Sequence, residues 1–305
     1  MTQRRVVVLG RGFIGSEVAR ALCDRSCEVV MVARSLPADM ELRPGMSARP
    51  IDVANRLDLA AVLATADAVV YAVGSPPPAA AASAHDLGLH QSLLPLLSTI
   101  ECLRVSGRDT HLVYLSSGGA VYGNTDRLPI SEDALPRPVS AYGVLKLTGE
   151  QFIASYVQTH GLRASMLRIA NAYGPGQPVK GQGAVAAFMF AAREGQPATL
   201  YGDGSSVRDY VHVGDVADIV ADVAVRDESV GTVNVGTGVG TSLTELADAI
   251  RAVSGVPLDL EFVPARSVDV RANVLDITSL RRTVPTVTPR ELHTGIEQTW
   301  RSLNR

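Results

Sequence analysis

The sequence is poor in the residues that build disulfide scaffolds and metal sites. Its 305 residues include three cysteines and six histidines. Cys23 and Cys27 lie four residues apart on one face of a predicted helix, Cys102 is isolated, and none has the spacing of zinc ligands. The closest histidines, His85 and His90, do not share a helical face. These absences predict no metal site, and thiols that stay reduced in a cytoplasmic location.

The sequence also lacks a large excess of either charge and has no long apolar run. The chain has 28 basic and 31 acidic residues, a formal net charge of −3, so it lacks the basic surface that nucleic-acid partners require. No apolar run approaches the ~20 residues that a membrane helix needs. The N-terminus, Gln3-Arg4-Arg5 before a short strand, lacks the apolar core of a signal peptide. We therefore expect a globular protein without a nucleic-acid or membrane partner, long enough for two lobes.

A glycine-rich turn follows the first predicted strand. The strand at residues 6–9 runs into Gly10, Gly12 and Gly15, and a helix continues over residues 16–22. Gly10 permits a tight turn, Gly12 lets the backbone approach a pyrophosphate, and Gly15 packs the helix against the strand. The helix start then presents free amides to the anion. The segment predicts a dinucleotide site rather than a structural turn, with these cofactor-binding residues: Gly10, Gly12, Phe13, Ile14 and Gly15.

A second motif places Tyr142 and Lys146 four residues apart, on one face of a predicted helix. A free phenol has a pKa of ~10, too high for a base near neutrality. A nearby ammonium should lower this pKa toward the working pH that proton transfer requires. The pair alone is more typical of a surface helix with an unrelated Tyr and Lys. Together with the glycine turn, it predicts a nicotinamide-dependent oxidoreductase with Tyr142 as its acid/base.

Short Val-rich strands alternate with helices in the first two thirds of the chain. This pattern predicts an α/β fold, a doubly wound parallel sheet (Rossmann-type), with a smaller α+β C-terminal substrate lobe. The predicted cofactor domain is 1–173 with 211–236, and the discontinuous substrate lobe is 174–210 with 237–305. The low-complexity stretch at 76–82 is interpreted as a linker. The predicted strands are 6–9, 28–33, 68–73, 111–115 and 232–236, and the predicted helices include 57–63, 87–104, 142–160 and 213–225.

The residue after the second strand bears on cofactor choice. NAD enzymes of this architecture usually place an acid about 20 residues beyond the glycines. Here that position is Ala33, followed by Arg34. An arginine would instead pair with a ribose 2′-phosphate through a bidentate contact. NADP(H) is therefore favoured and NAD(H) is the alternative, in which Arg34 stacks on adenine or points to solvent.

Further motifs recur in one order along nearly the whole chain. They are Gly12-Phe13-Ile14-Gly15, Asp52-Val53, residues 115–123, Tyr142-Gly143-x-x-Lys146, residues 168–176, residues 201–213 and residues 234–238. With them the chain resembles the extended short-chain dehydrogenase/reductase family, in its branch of nucleotide-sugar epimerases, dehydratases and reductases. The resemblance implies a nucleoside-diphosphate sugar as substrate. It also implies a homodimer formed by the helix that bears Tyr142 and the preceding long helix.

The resemblance implies roles for residues on both sides of the site. Lys146 would hold the nicotinamide ribose, and Asp52 and Val53 would meet the adenine. Asn171 would contact the sugar-nucleotide, and Arg208 and Arg271 would bind its diphosphate through guanidinium forks. The alternative for each arginine is a salt bridge, with candidate partners Asp203 or Asp209 for Arg208 and Asp269 or Asp276 for Arg271.

One departure from the family pattern concerns the hydroxyl that pairs with the catalytic tyrosine. Its usual position is Gly118 in this chain, so Ser117 is the predicted catalytic hydroxyl and Ser116 the alternative. Gly118-Gly119-Ala120 also lacks the acid that dehydratases carry there, which argues against dehydration. The leading interpretation is an NADPH-dependent reductase of a nucleoside-diphosphate 4-keto-6-deoxyhexose, with Tyr142 as proton donor. The alternatives are an NAD-dependent 4-epimerase, of a sugar such as UDP-glucose, and a cofactor sensor without turnover.

Overall fold

The computed structural model describes residues 3–37, 39–74, 88–178, 183–265 and 270–304. Within them, the strands are β1 (Arg5–Leu9), β2 (Glu28–Ala33), β3 (Met46–Pro50), β4 (Ala68–Tyr71), β5 (His111–Ser117), β6 (Ala164–Ile169), β7 (Asn171–Tyr173), β8 (Ala198–Tyr201), β9 (Val207–His212), β10 (Gly231–Val235), β11 (Gly240–Ser242), β12 (Leu260–Val263) and β13 (Ala272–Asn273). The helices are α1 (Phe13–Asp24), α2 (Arg56–Leu63), α3 (Leu94–Ser106), α4 (Gly118–Val121), α5 (Ala141–His160), α6 (Ala184–Glu194), α7 (Val213–Ala224), α8 (Leu243–Ser254), α9 (Thr278–Thr283) and α10 (Leu292–Leu303).

A seven-stranded parallel sheet forms the larger part of the described chain, in the order β10-β6-β5-β4-β1-β2-β3. Its central strands are apolar on both faces because helices cover both faces. Val6 and Val8 pack toward α1 and α7, whereas Val7 and Leu9 pack toward α2, α3 and α5. The predicted doubly wound parallel sheet is confirmed.

The smaller part of the structure is built around β9. This strand pairs with β7, β11 and β13, and the short β8–β12 pair lies outside that sheet. A third apolar cluster joins α6, α8 and α10 there. β10 and α7 belong to the larger sheet and its cover, as the sequence pattern expects for residues 211–236. The domain boundaries themselves stay a prediction.

Several elements differ from the sequence-based expectations. The long helix is a π-helical turn (Leu89–Leu93) followed by α3, which ends at Gly107 with a left-handed φ of 64°. β4 ends at Tyr71, two residues early, where the chain passes over Gly10. β3 lacks an apolar signature because it is the partly exposed edge of the sheet. The predicted linker at 76–82 lies outside the described residues.

Two features of the described residues concern membrane and metal partners. In the described part of the chain, no helix is both long and apolar enough to cross a membrane. Across the same residues, no three His, Cys, Asp or Glu side chains are grouped so that they could hold a metal ion.

Candidate active site

The glycine turn packs tightly against the end of the neighbouring strand. Gly10 has a left-handed φ of 106°, and a Cβ there would lie 2.5 Å from the carbonyl oxygen of Ala72. A Cβ on Gly15 would lie 2.0 Å from the carbonyl oxygen of Gly10, so the start of α1 touches the turn directly. At Gly12 a Cβ would meet nothing within 4 Å. The first and third glycines are therefore required by packing, whereas Gly12 faces open space in which a phosphate fits.

A cavity of about 570 Å³ opens beside this turn. Its lining includes Gly10, Gly12, Arg34, Asp52 and Val53, so the structure brings these predicted cofactor residues together. Phe13 and Ile14 form the first turn of α1. Sequence reasoning missed other lining residues, which come from the glycine turn, the β2 and β4 ends and the π-helical turn: Arg11, Ser35, Ala72, Val73, Gly74, His90 and Gln91. The open turn and the cavity fit a dinucleotide.

Two arginines line this cavity. Arg11 and Arg34 are both exposed, and neither has an ion-pair partner among the described residues. Ala33 leaves this end of β2 without a carboxylate. Asp52 lies in the same cavity, where its carboxylate accepts the amide of Ala54 at 3.0 Å. Two positive side chains therefore face this region at the place where an acid would bind the hydroxyls of an unphosphorylated ribose.

Tyr142 lies in the first turn of α5, next to Ser117 at the carboxyl end of β5. The side chain of Ser140 caps α5 by accepting the amide of Gly143 at 3.1 Å. The hydroxyl of Ser117 faces the oxygen of Tyr142 and acts to lower the pKa of that tyrosine. Ser116 points to the opposite face of β5 and donates to Glu150 at 2.5 Å. Geometry therefore places Ser117, and not Ser116, beside the tyrosine.

Burial changes the pKa values of the tyrosine and the lysine. It raises the pKa of Tyr142, against a smaller lowering by the Ser117 hydroxyl. The predicted lowering of this pKa by Lys146 is wrong for the protein alone: its Nζ lies 5.9 Å from the Tyr142 ring centre and donates to the carbonyl oxygen of Leu115 at 2.8 Å. Burial lowers the pKa of Lys146 to about 8, although the charge of Glu150 opposes this shift.

A network of buried polar side chains lies next to the site. Sequence reasoning missed this network. Arg168 forms a bidentate pair with Glu150, with distances of 2.7 to 3.2 Å, and donates to the Tyr122 hydroxyl at 2.9 Å. Tyr122 in turn donates to Asn234 at 2.7 Å. These residues join β6, β10, α5 and the residue that follows α4. Three of them, Tyr122, Arg168 and Asn234, lie within recognised motifs, but no sequence pattern indicated their contacts.

The predicted substrate residues lie on the β9 sheet. Register pairs Arg208 of β9 with Asn273 of β13, and Tyr210 with Asn171 of β7. The side-chain oxygen of Asn171 also packs on Gly119, where an added Cβ would lie 2.7 Å from it. Arg271 immediately precedes β13. The structure thus brings Asn171 next to the turn that carries Ser117, and both arginines to adjoining strands.

The candidate salt-bridge partners of these arginines have other contacts. Asp209 is buried and accepts hydrogen bonds from the amides of Thr237, Gly238 and Leu275. Asp203 accepts from Ser205, which lowers its pKa, and the charge of Arg271 adds a smaller lowering. Asp276 accepts the amide of Thr278 at 2.8 Å. Asp269 lies outside the described residues.

Known proteins are similar to this chain in sequence and in fold. The profile of the NAD dependent epimerase/dehydratase family matches residues 6–236, and the chain belongs to this family. It is 41% identical to a UDP-glucose 4-epimerase of Mycolicibacterium smegmatis over 171 residues, which are 56% of this chain and 55% of that protein. It thus matches about half the length of this relative. The predicted branch of the extended short-chain dehydrogenase/reductases is confirmed.

Two further relatives match almost throughout. A dTDP-6-deoxy-L-talose 4-dehydrogenase (NAD(P)(+)) of Kitasatospora kifunensis is 30% identical over 97% of this chain and 94% of its own length. The crystal structure of a Thermus thermophilus UDP-glucose 4-epimerase in complex with NAD superposes with a TM-score of 0.88. It is 30% identical and covers 98% of this chain and 99% of that one.

Proposed function

We propose that the protein is a nicotinamide-dependent 4-epimerase of a nucleoside-diphosphate sugar. The observation that carries the proposal is the placement of the Ser117 hydroxyl beside Tyr142 at the carboxyl end of β5. The glycine-turn cavity lies at the same edge of the sheet, where parallel α/β sheets bind their ligands. UDP-glucose 4-epimerases among the relatives support this reaction over the reduction that the sequence alone favours.

The residues of the chain have the following roles in this reaction. Tyr142 takes the proton of the C4 hydroxyl as that carbon is oxidised, and returns a proton to the oxygen when the opposite configuration forms. Ser117 donates to the phenolate oxygen and stabilises its charge. Lys146 supplies a positive charge beside this pair. A nicotinamide held in the glycine-turn cavity would supply reversible hydride exchange with C4, which would make the overall reaction redox-neutral.

The substrate is held on the β9 side. Arg208 and Arg271 bind the diphosphate through charge-assisted hydrogen bonds throughout both half-reactions. Asn171 contacts the sugar next to Gly119, where its side-chain oxygen already lies close to the Ser117 turn. In this arrangement, the diphosphate fixes the nucleotide and leaves C4 of the sugar near Tyr142.

A second candidate function is the 4-ketoreductase, or the reverse dehydrogenase. It is favoured by Ala33 and Arg34 at the end of β2 and by the likeness to the Kitasatospora 4-dehydrogenase. A net reductase uses the cellular NADPH pool, whereas an epimerase recycles its cofactor. NADP(H) remains our proposed preference for this chain on account of Arg34. The NAD in the Thermus relative belongs to that protein.

The oligomer that fits the surface is a homodimer. α3 and α5 pack beside each other, and both expose apolar side chains at helical spacing. Leu94 and Val105 lie on one face of α3, and Val144 and Phe152 lie eight residues apart on α5. A second copy of the same two helices would cover these side chains in a four-helix interface.

One experiment separates the two reactions. The purified protein is incubated with UDP-glucose, UDP-galactose and a nucleoside-diphosphate 4-keto-6-deoxyhexose, each with and without added NADPH. An epimerase interconverts the first two without a net change in the absorbance of reduced nicotinamide. Stoichiometric loss of NADPH with the keto sugar, and no epimer from the others, would establish the reductase instead.

A further inference from the structure

A buried side chain, Asn273, holds the turn that carries Ser117 by a hydrogen bond. Asn273 is 1% exposed, and its Nδ2 donates to the carbonyl oxygen of Gly118 at 3.0 Å. Gly118 directly follows Ser117 and opens α4. Ser117 occupies the N-cap position of this short helix, yet its hydroxyl makes no capping bond and is used by Tyr142 instead. The Asn273 contact therefore lies one residue from the hydroxyl that faces the catalytic tyrosine.

The absence of a side chain at Gly118 lets the segment that contains Asn273 approach the turn closely. A Cβ on Gly118 would lie 2.6 Å from a methyl of Leu275 and 2.9 Å from the carbonyl oxygen of Arg168. A hydroxyl residue at the usual family position would therefore collide with the segment that contains Asn273. This is a physical reason why the hydroxyl is at Ser117 in this chain.

Residues 271–276 connect this contact to the diphosphate arginines. Arg271 begins this connecting segment, and Asn273 pairs with Arg208 in register. The segment is held at both ends, because the Arg271 carbonyl accepts the amide of Val207 at 3.0 Å and the Asp276 amide donates to Ile130 at 2.8 Å. The connecting segment, residues 271–276, is thus fixed by hydrogen bonds between the arginines and the turn of Ser117.

Packing alone does not account for an asparagine here. Its Oδ1 is buried and has no hydrogen-bond partner among the described residues. An apolar side chain of similar volume would avoid this unsatisfied acceptor. The Nδ2–H···O=C bond to Gly118 is the feature that only an amide of this length supplies.

We propose that Asn273 is a positioning residue: it holds the Ser117 turn in place beside Tyr142, an inference that rests on the proposed function. Through the connecting segment it joins the arginines that bind the diphosphate to the hydroxyl that assists proton transfer. Asn273 itself touches neither the tyrosine nor the cofactor cavity.

The test is a double-mutant cycle. N273D replaces the donor by an acceptor of the same shape, and N273A removes it without adding a charge. Each should lower kcat about tenfold with KM changed less than about twofold, because the lost bond affects the hydroxyl and not the substrate contacts. In combination with S117A, either variant should lower kcat no further than S117A alone. The matched control is N304D, which removes an equivalent amide bond to the carbonyl oxygen of Trp300 in α10.

Three results would overturn the proposal: a normal kcat in N273A, an increase in KM alone, or losses that multiply with S117A. A second measurement needs no turnover. Amide hydrogen exchange over residues 117–121 should be faster in N273A than in wild type and N304D, and equal rates would overturn the proposal. If wild type converts no nucleotide sugar, the proposed function fails, and the exchange rates alone decide the role of Asn273.

Discussion

Lys146 is a buried cation that weakens the fold. It is 6% exposed, and within the described part of the chain its hydrogen-bond partner is the carbonyl oxygen of Leu115. Glu150, one helical turn away, is already paired with Arg168 and compensates the lysine only in part. Removing a charge from water is unfavourable, so burial lowers the pKa of Lys146 from 10.5 to about 8. A side chain that lowers stability in this way is typical of a functional site.

We predict that K146M stabilises the protein without ligand. The pKa of Lys146 is about 8 when folded and near 10.5 when unfolded, so the unfolded chain binds more protons between these values. Wild-type stability at this site therefore rises with pH across that window. K146M should be more stable at pH 7 by on the order of 1–3 kcal/mol, and this gain should shrink between pH 8 and 10.5. Urea unfolding at several pH values measures it; a less stable variant at pH 7 would contradict the prediction.

Tyr142 and Tyr156 lie on the same helix and offer a matched comparison. Y142F removes the hydroxyl that transfers the proton, so turnover should fall by roughly 10²–10⁴-fold while cofactor binding persists. Tyr156 hydrogen-bonds Glu101 near the surface, at 2.7 Å, and Y156F should leave turnover within about twofold of wild type. Initial rates and cofactor titration distinguish the two variants. Similar rates in both would remove Tyr142 from the reaction.

At the scale of elements, the end of β2 and the glycine turn carry the residues that we propose select the cofactor. Ala33 and Arg34 close β2, and Arg11 lies within the glycine turn. Both arginines reach the same cavity from different elements. The sequence predicted Arg34 because its position follows a recognisable strand. Arg11 was missed because only the fold brings the turn to the end of β2.

We predict that wild type binds NADPH more tightly than NADH. R34A and R11A should each reduce this preference, since a charge-assisted contact of about 1.5–3 kcal/mol exists only with the 2′-phosphate. A33D should shift selectivity toward NAD, because it repels the phosphate and offers an acceptor to the ribose hydroxyls. R301A, in exposed α10, is the control. Tightly bound NAD in the purified protein, or a wild-type preference for NADH, would contradict this prediction.

Among the elements, the sequence predicted the strands and helices that have a continuous or regular apolar pattern. The strands with continuous valine runs and the helix of Tyr142 were predicted within a few residues, because both faces of a parallel sheet are buried. β3, with Ser47, Arg49 and Pro50 at a half-exposed edge, gave no such signal. The choice between Ser116 and Ser117 also required the structure. Adjacent strand residues point to opposite faces, and the sequence alone does not show which face meets α5.

At the scale of the whole molecule, the smaller sheet carries the proposed substrate residues, and the larger sheet borders the glycine-turn cavity. β9 connects the two, since it pairs with β7 and β13 and leads directly into α7. Sequence motifs indicated Arg208 and Arg271 separately, 63 positions apart by their numbers. Their placement on adjoining strands depends on the parallel pairing of β13 with β9, which no local pattern encodes.

We predict that R208A and R271A each weaken UDP binding by about 1.5–3 kcal/mol, because each removes a charge-assisted partner of the diphosphate. Cofactor affinity should change little, since the glycine-turn cavity is lined by other residues. R193A, on the exposed face of α6, serves as the control. Calorimetric titration with UDP measures all three variants. An unchanged affinity in R208A and R271A would assign the two arginines to structural contacts.

The last prediction concerns assembly. Phe152 is 38% exposed on α5, two helical turns from the exposed Val144, and α3 adds Leu94 and Val105. F152D places a charge within this apolar surface and should convert a dimer into a monomer, because an isologous interface meets the substitution twice. The control is F262D on β12, where the ring is 56% exposed but belongs to the separate β8–β12 pair. Light scattering after gel filtration measures the mass. A dimer that persists in F152D, or one that F262D dissociates, would place the interface on another surface.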